Sequence, residues 1–179
     1  MPISKDLFLS ILAMDAYNRG YRPGVVLPAS PPGSEVNIGH AKLSQNSEIL
    51  GQTNGQYNDQ AASFFAQAYT INDGSSYSNP GGDSLTGGQT VISYRGTDEP
   101  SPLKSADFWN GWTIGAGYSA ASQAGLARSF YESVINAGNT GPQRTVFDVP
   151  PPGVVVTGHS LGGGLVSNDN AVLAEARAA

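Results

Sequence analysis

The stretch Val154-Val155-Val156-Thr157-Gly158-His159-Ser160-Leu161-Gly162-Gly163-Gly164 constrains the fold of this 179-residue chain more than any other. Four β-preferring residues in a row leave no polar face, the pattern of a parallel strand covered on both sides. Gly158 and Gly162 then mark a tight turn, and a helix is expected to open at Leu161. The G-x-S-x-G spacing has a steric reason. At a strained strand-to-helix turn, the residues two before and two after the serine approach each other so closely that only small side chains fit. The Ser160 hydroxyl is then lifted above the sheet edge. The backbone N–H groups that follow it face the place where an oxyanion would form. Five letters alone match by chance in a chain with 23 glycines; the strand before them and the helix after them give the pattern its weight. The expected fold class is α/β.

Length suits one domain, 1–179, with a single core. Charged residues make up only 13%, against roughly 25% in typical soluble domains. With 23 Gly and 12 Pro, loops must be numerous. A net charge of −5 and the lack of a dense Lys/Arg patch argue against nucleic acid or an anionic membrane as partner. The absence of cysteine excludes disulfides, thiolate metal sites and thiol catalysis. No metal or cofactor is expected. The N-terminal apolar run is short and interrupted by Asp15, so it reads as a folded amphipathic helix rather than a leader. No stretch approaches the roughly 20 apolar residues of a membrane span.

Along the chain, Leu7, Leu9, Ile11, Leu12, Ala13 and Tyr17 predict a helix over 4–17 with Ser4 as N-cap. Residues 20–60 read mostly as loop. Residues 63–72 and 90–96 read as two strands of a hairpin joined by a long turn region, 74–89. Residues 118–137 form a helix whose buried face is Ala127, Phe130, Tyr131 and Val134, stopped by Gly138 or Gly141.

The segment Val154–Gly164, taken with Val91-Ile92-Ser93-Tyr94-Arg95-Gly96-Thr97-Asp98, resembles the GHSLGG lipases of the α/β-hydrolase superfamily, the class 3 or fungal-type lipases and their bacterial relatives. The resemblance runs over about residues 60–165. It implies Ser160 as nucleophile, Gly158, His159 and Gly162 as the elbow around it, and the N–H groups of Thr97 and Leu161 as oxyanion donors. Ester cleavage puts charge on the carbonyl oxygen, and each preorganised donor stabilises it by roughly 2.7–4 kcal/mol. Arg95 is expected to be structural, pairing with Asp98 or Asp107. Phe108, Trp109 and Trp112 fall where relatives carry a lid; they would line an acyl pocket, touch a lipid interface transiently, or belong to the core. The implied substrate is an ester or lipid such as an acylglycerol. The expected location is secreted or extracellular in a bacterium rather than cytoplasmic.

The triad is the gap in this pattern. In α/β-hydrolases its members follow the order Ser, Asp or Glu, His. The chain has two histidines. His159 adjoins the serine, where neighbouring side chains diverge, so it is expected to pack beside the elbow. His40 stands in a loop and in the wrong order, although geometry rather than order decides a triad. After Ser160 the carboxylates are Asp169 and Glu175. Asn168-Asp169-Asn170 places poor helix formers in mid-element. The expectation is therefore an incomplete α/β-hydrolase fold, a mixed sheet with flanking helices and missing C-terminal strands. The Asp and His would come from outside the chain. The strand 154–157 would then be an edge, calling for a homo-oligomer or a missing C-terminal fragment. Three functions fit: a lipase or esterase; a catalytically impaired hydrolase remnant that binds an acyl ligand or a partner chain; and an acyltransferase or peptidase on the same scaffold.

Overall fold

A computed structural model describes residues 3–20, 35–95, 122–146, 148 and 151–159. The helix α1 (Lys5–Asp15) begins where expected, with the Ser4 hydroxyl accepting from Leu7 N–H, and passes into a 3-10 turn, Ala16–Asn18. The strands β1 (Asn37–Ile38) and β2 (Ala41–Asn46) follow. A 3-10 turn (Ser47–Leu50), β3 (Gln52–Thr53), β4 (Gln56–Tyr57) and the short helix α2 (Asn58–Ala61) lead to β5 (Ala66–Ile71). Next come β6 (Ser76–Ser78), β7 (Ser84–Thr86), β8 (Thr90–Tyr94), α3 (Ser122–Ile135) and β9 (Val154–Gly158).

The main sheet has the order β1-β2-β5-β8-β9. Its first four strands pair antiparallel, and β9 joins β8 in parallel. The molecule is thus mixed α/β, with the continuous valine run in the one parallel pairing described. The period-2 alternation of the strands sorts their side chains onto two faces. Ala66, Ala68, Ile92 and Tyr94 point to one side, where Ala127, Phe130 and Tyr131 of α3 cover them and Val154 and Val156 pack alongside. Tyr69, Ile71 and Val91 point to the other, against Phe8 and Leu12 of α1, with Val155 beside them. Polar bonds tie the layers: Ser93 Oγ donates to Leu12 O at 3.1 Å, and Tyr94 Oη to Ala127 O at 3.2 Å. On the expected α3 face Ala127, Phe130 and Tyr131 are buried and Val134 is half-buried, and Gly138, at φ 73°, follows the helix end.

Three expectations change, and α1 acquires faces that the sequence left unassigned. Of the 20–60 stretch, residues 35–60 are largely structured rather than loop, and β2 is an interior strand of the sheet. A bulge between Leu43 and Gln45 shifts its register, so the alternation that marks a strand is broken in the sequence. Residues 74–89 hold a second hairpin, β6–β7, pinned by the buried pair Tyr77 and Leu85. On α1, Leu7, Ile11 and Met14 line an exposed outer face while Phe8 and Leu12 are buried. Finally, every residue of β9 is half-buried rather than fully covered. It is the outermost strand among the described residues, so one flank has no sheet neighbour.

Candidate active site

Each of the two quoted motifs ends a strand, and the strands are neighbours. β8 and β9 run parallel in the register Ile92↔Val156, Ser93↔Thr157, Tyr94↔Gly158. The chain therefore leaves both strands at the same level of the same sheet edge. In open α/β sheets, ligands bind outside the carboxyl ends of the strands. Gly158 closes β9 and His159 follows it. Thr97, Ser160, Leu161, Gly162, Phe108, Trp109 and Trp112 lie outside the described residues, as do Asp98 and Asp107.

The turn after α1 reaches this edge. Tyr17 Oη lies 3.2 Å from the His159 carbonyl oxygen, to which it donates, and 3.3 Å from His159 Nδ1. One phenolic proton serves one acceptor: given to the carbonyl, it leaves the Tyr17 oxygen to accept from Nδ1–H. The rings meet edge to face, with centroids 5.7 Å apart. His159 is exposed, and its ring meets Tyr17 of the turn after α1. Next to it, Arg95 is 3% exposed. Its guanidinium stacks over Phe65 at 4.8 Å, and Nη1 donates to the Arg19 carbonyl at 3.2 Å. Gly20 closes the cluster. A Cβ at Gly20 would fall 2.2 Å from the Phe65 ring, and its φ of 70° already disfavours any other residue.

Below this edge runs a buried polar chain. Asp15 Oδ2 accepts from Arg19 Nε at 2.5 Å and from Tyr69 Oη at 2.7 Å, and Tyr69 Oη is also 2.6 Å from Gln67 Oε1. A single phenolic proton cannot serve two acceptors. With the Gln67 amide turned half a revolution, its NH2 donates to the Tyr69 oxygen and the proton goes to Asp15. Burial, with the Asp15 charge second, holds the Tyr69 phenol well above its ordinary range, so it stays neutral. This chain anchors the end of α1 to the middle of the sheet.

His40 stands at the other end of the sheet. It precedes Ala41, which pairs with Ile71, at the level where β8 and β9 begin. With about 3.3 Å per residue and about 4.8 Å between strands, it is more than about 20 Å from His159. Its backbone N–H donates to Tyr77 Oη at 3.2 Å. No cluster of His, Cys, Asp or Glu that could hold a metal occurs among the described residues. No helix among them is long and apolar enough to cross a membrane. Tyr17, Arg19 and Phe65 were not legible as site residues. Tyr17 continues the apolar periodicity of α1, and nothing local shows that its hydroxyl meets residue 159. Comparison with family models, curated proteins and solved structures finds no match for this chain.

Proposed function

We propose that this chain carries the nucleophile and oxyanion half of a serine carboxylic-ester hydrolase of the α/β-hydrolase type, a lipase or esterase acting on acylglycerols or similar esters. One observation carries the proposal: β8 and β9 pair in parallel as far as Tyr94↔Gly158, so the strand portions of the two motifs end side by side. An oxyanion hole built from two loops needs that adjacency. Ser160 Oγ would attack the ester carbonyl carbon, with the N–H groups of Thr97 and Leu161 on the oxyanion. The ester C–O bond then breaks, the alcohol leaves with a proton, and water cleaves the acyl-serine to the free acid. The base is assigned to a histidine outside these 179 residues, with its carboxylate, because His40 stands at the far end of the sheet and His159 adjoins the nucleophile. A lipid interface would be touched transiently, through Phe108, Trp109 and Trp112.

The test is a fluorophosphonate probe. Slow labelling at Ser160 that vanishes in Ser160→Ala is the expected result, because the oxyanion donors act without the base; a wild-type chain that labels no faster than Ser160→Ala would defeat the proposal. Turnover by the chain alone should be slow, roughly 10³–10⁴ above water, as when triad members are removed. The position of His40 favours one second reading, a hydrolase remnant that binds an acyl ligand or partner chain without turning it over. A fluorescent fatty acyl probe that binds while fluorophosphonate fails to label would select it.

A further inference from the structure

We propose that β9 is the seam of a homodimer. Two copies of the chain would pair this strand antiparallel about a two-fold axis at Val156, with Val154 opposite Gly158, and join their five-stranded sheets into one. The register of the sheet decides which backbone groups are free to do so. Thr90 N–H donates to Gly153 O at 2.8 Å, which sets the phase of the parallel ladder. Successive residues of a strand turn their N–H and C=O groups to opposite flanks. Gly153, Val155 and Thr157 therefore face β8, while Val154, Val156 and Gly158 face away from it. The far flank of β8 has the complementary phase: Gln89 O accepts from Ile71 N–H, and Arg95 N–H donates to Phe65 O. Among the described residues, nothing bonds the outward N–H and C=O groups of Val154, Val156 and Gly158.

Such a flank accepts an uncharged, extended strand whose own flank is open, and β9 is itself that strand. Centred on Val156, an antiparallel pair sets every outward residue opposite another outward residue, so both backbone groups of each find partners. The side chains fit in the same register. Val156 meets itself, Val155 meets Thr157, and Val154 meets Gly158, where the missing side chain leaves room for it. Residues 151–158 carry no charge, so the net charge of −5 brings no like charges together along the strand. The devices that protect an edge are missing from β9: it has no Lys, no Pro and no bulge in its pairing with β8. Residues facing each other across an antiparallel pair share a face of the sheet. Val154 and Val156 of both copies thus lie on the α3 side and Val155 on the α1 side. The seam extends both layers of core and covers valines that one copy leaves half-buried. Ester cleavage plays no part in this pairing, so its test is separate from the labelling of Ser160.

Proline distinguishes the two flanks of β9. At Val156 it removes an outward N–H and leaves every bond to β8 in place, the setting in which an edge strand tolerates proline. Light scattering coupled to size exclusion should give twice the chain mass for wild type and the single-chain mass for Val156→Pro, whose circular dichroism should stay close to that of wild type. Amide hydrogen exchange of wild type gives a second reading that needs no variant. Val154, Val156 and Gly158 should exchange at least about tenfold more slowly in the dimer than after dilution to the monomer, while Val155 and Thr157 stay protected in both. This reading decides the matter if Val156→Pro does not fold. A wild type that stays monomeric overturns the seam, whether its outward amides exchange freely or are covered by other residues of the same chain. A dimer in which those three amides exchange as fast as in the monomer overturns it too. So does a dimer that survives Val156→Pro and is lost when the exposed residues Leu7 and Met14 are changed, as Leu7→Gln with Met14→Gln, because the contact then belongs to the outer face of α1.

Discussion

Asp15 interrupts the apolar run of the first helix, and in the sequence it looks like a surface residue. In the fold it is 6% exposed and carries Arg19 and Tyr69 on one oxygen. Tyr69→Phe removes a buried donor and should cost about 1–3 kcal/mol in urea unfolding. Arg19→Ala leaves that carboxylate without its cation and should cost more, about 3–5 kcal/mol. The phenol also sets an alkaline limit. Its folded pKa is raised above the unfolded value of 10.0, so the unfolded chain loses the proton first. The stability Tyr69 confers is complete below about pH 10 and falls as pH rises above it, by about 1.4 kcal/mol per unit. In Tyr69→Phe this part of the alkaline slope of denaturation midpoints should be missing. Gly20→Ala should also destabilise, because the methyl group would enter the Phe65 ring and φ is positive.

At the scale of elements, α1 shows how one helix divides its leucines. Leu12 is fully buried between the helix and the sheet, while Leu7 is 51% exposed. Leu12→Ala should cost about 2–5 kcal/mol and Leu7→Ala no more than about 0.5 kcal/mol, a contrast that parallel denaturation curves would check. The sequence marked both as parts of one apolar pattern. It could not assign the faces, because six apolar positions at mixed spacings wrap most of the helix. The strands were legible where their residues form an unbroken β-rich or apolar run. Val154–Thr157, Thr90–Tyr94 and Ala66–Ile71 stood out as β-rich or apolar runs. Ala41–Asn46 did not: its bulge breaks the alternation, and Lys42, Ser44 and Gln45 supply polar residues to a strand hydrogen-bonded on both sides. The hairpin β6–β7 was hidden for a related reason, since one buried residue on each strand, Tyr77 and Leu85, is all that separates it from a polar turn.

For the molecule as a whole, the two ends of the main sheet differ. β1 is two residues long, a length that protects an edge. β9 is five residues long, apolar and half-buried, and among the described residues it pairs with β8 alone. An apolar strand of that length, with one flank unpaired among the described residues, invites another strand. We therefore expect the 179-residue chain to self-associate, or to bind a further segment, rather than run as a monomer. Light scattering coupled to size exclusion checks this; a cleanly monomeric species at micromolar concentration would contradict it.

What the sequence determined by itself was local and repetitive: the Ser4 cap, the α3 face and the valine strand. Each depends on residues a few positions apart, where backbone sterics and side-chain periodicity act directly. The same locality pointed to Ser160 and to the motif around Thr97 as chemically special. Only the tertiary structure decided that Tyr94 pairs with Gly158, that His40 stands at the wrong end of the sheet, and that Tyr17 and Arg19 reach over to His159 and Arg95. Those relations join residues dozens to more than a hundred positions apart. Packing and strand register create them, and no spacing within the chain encodes them.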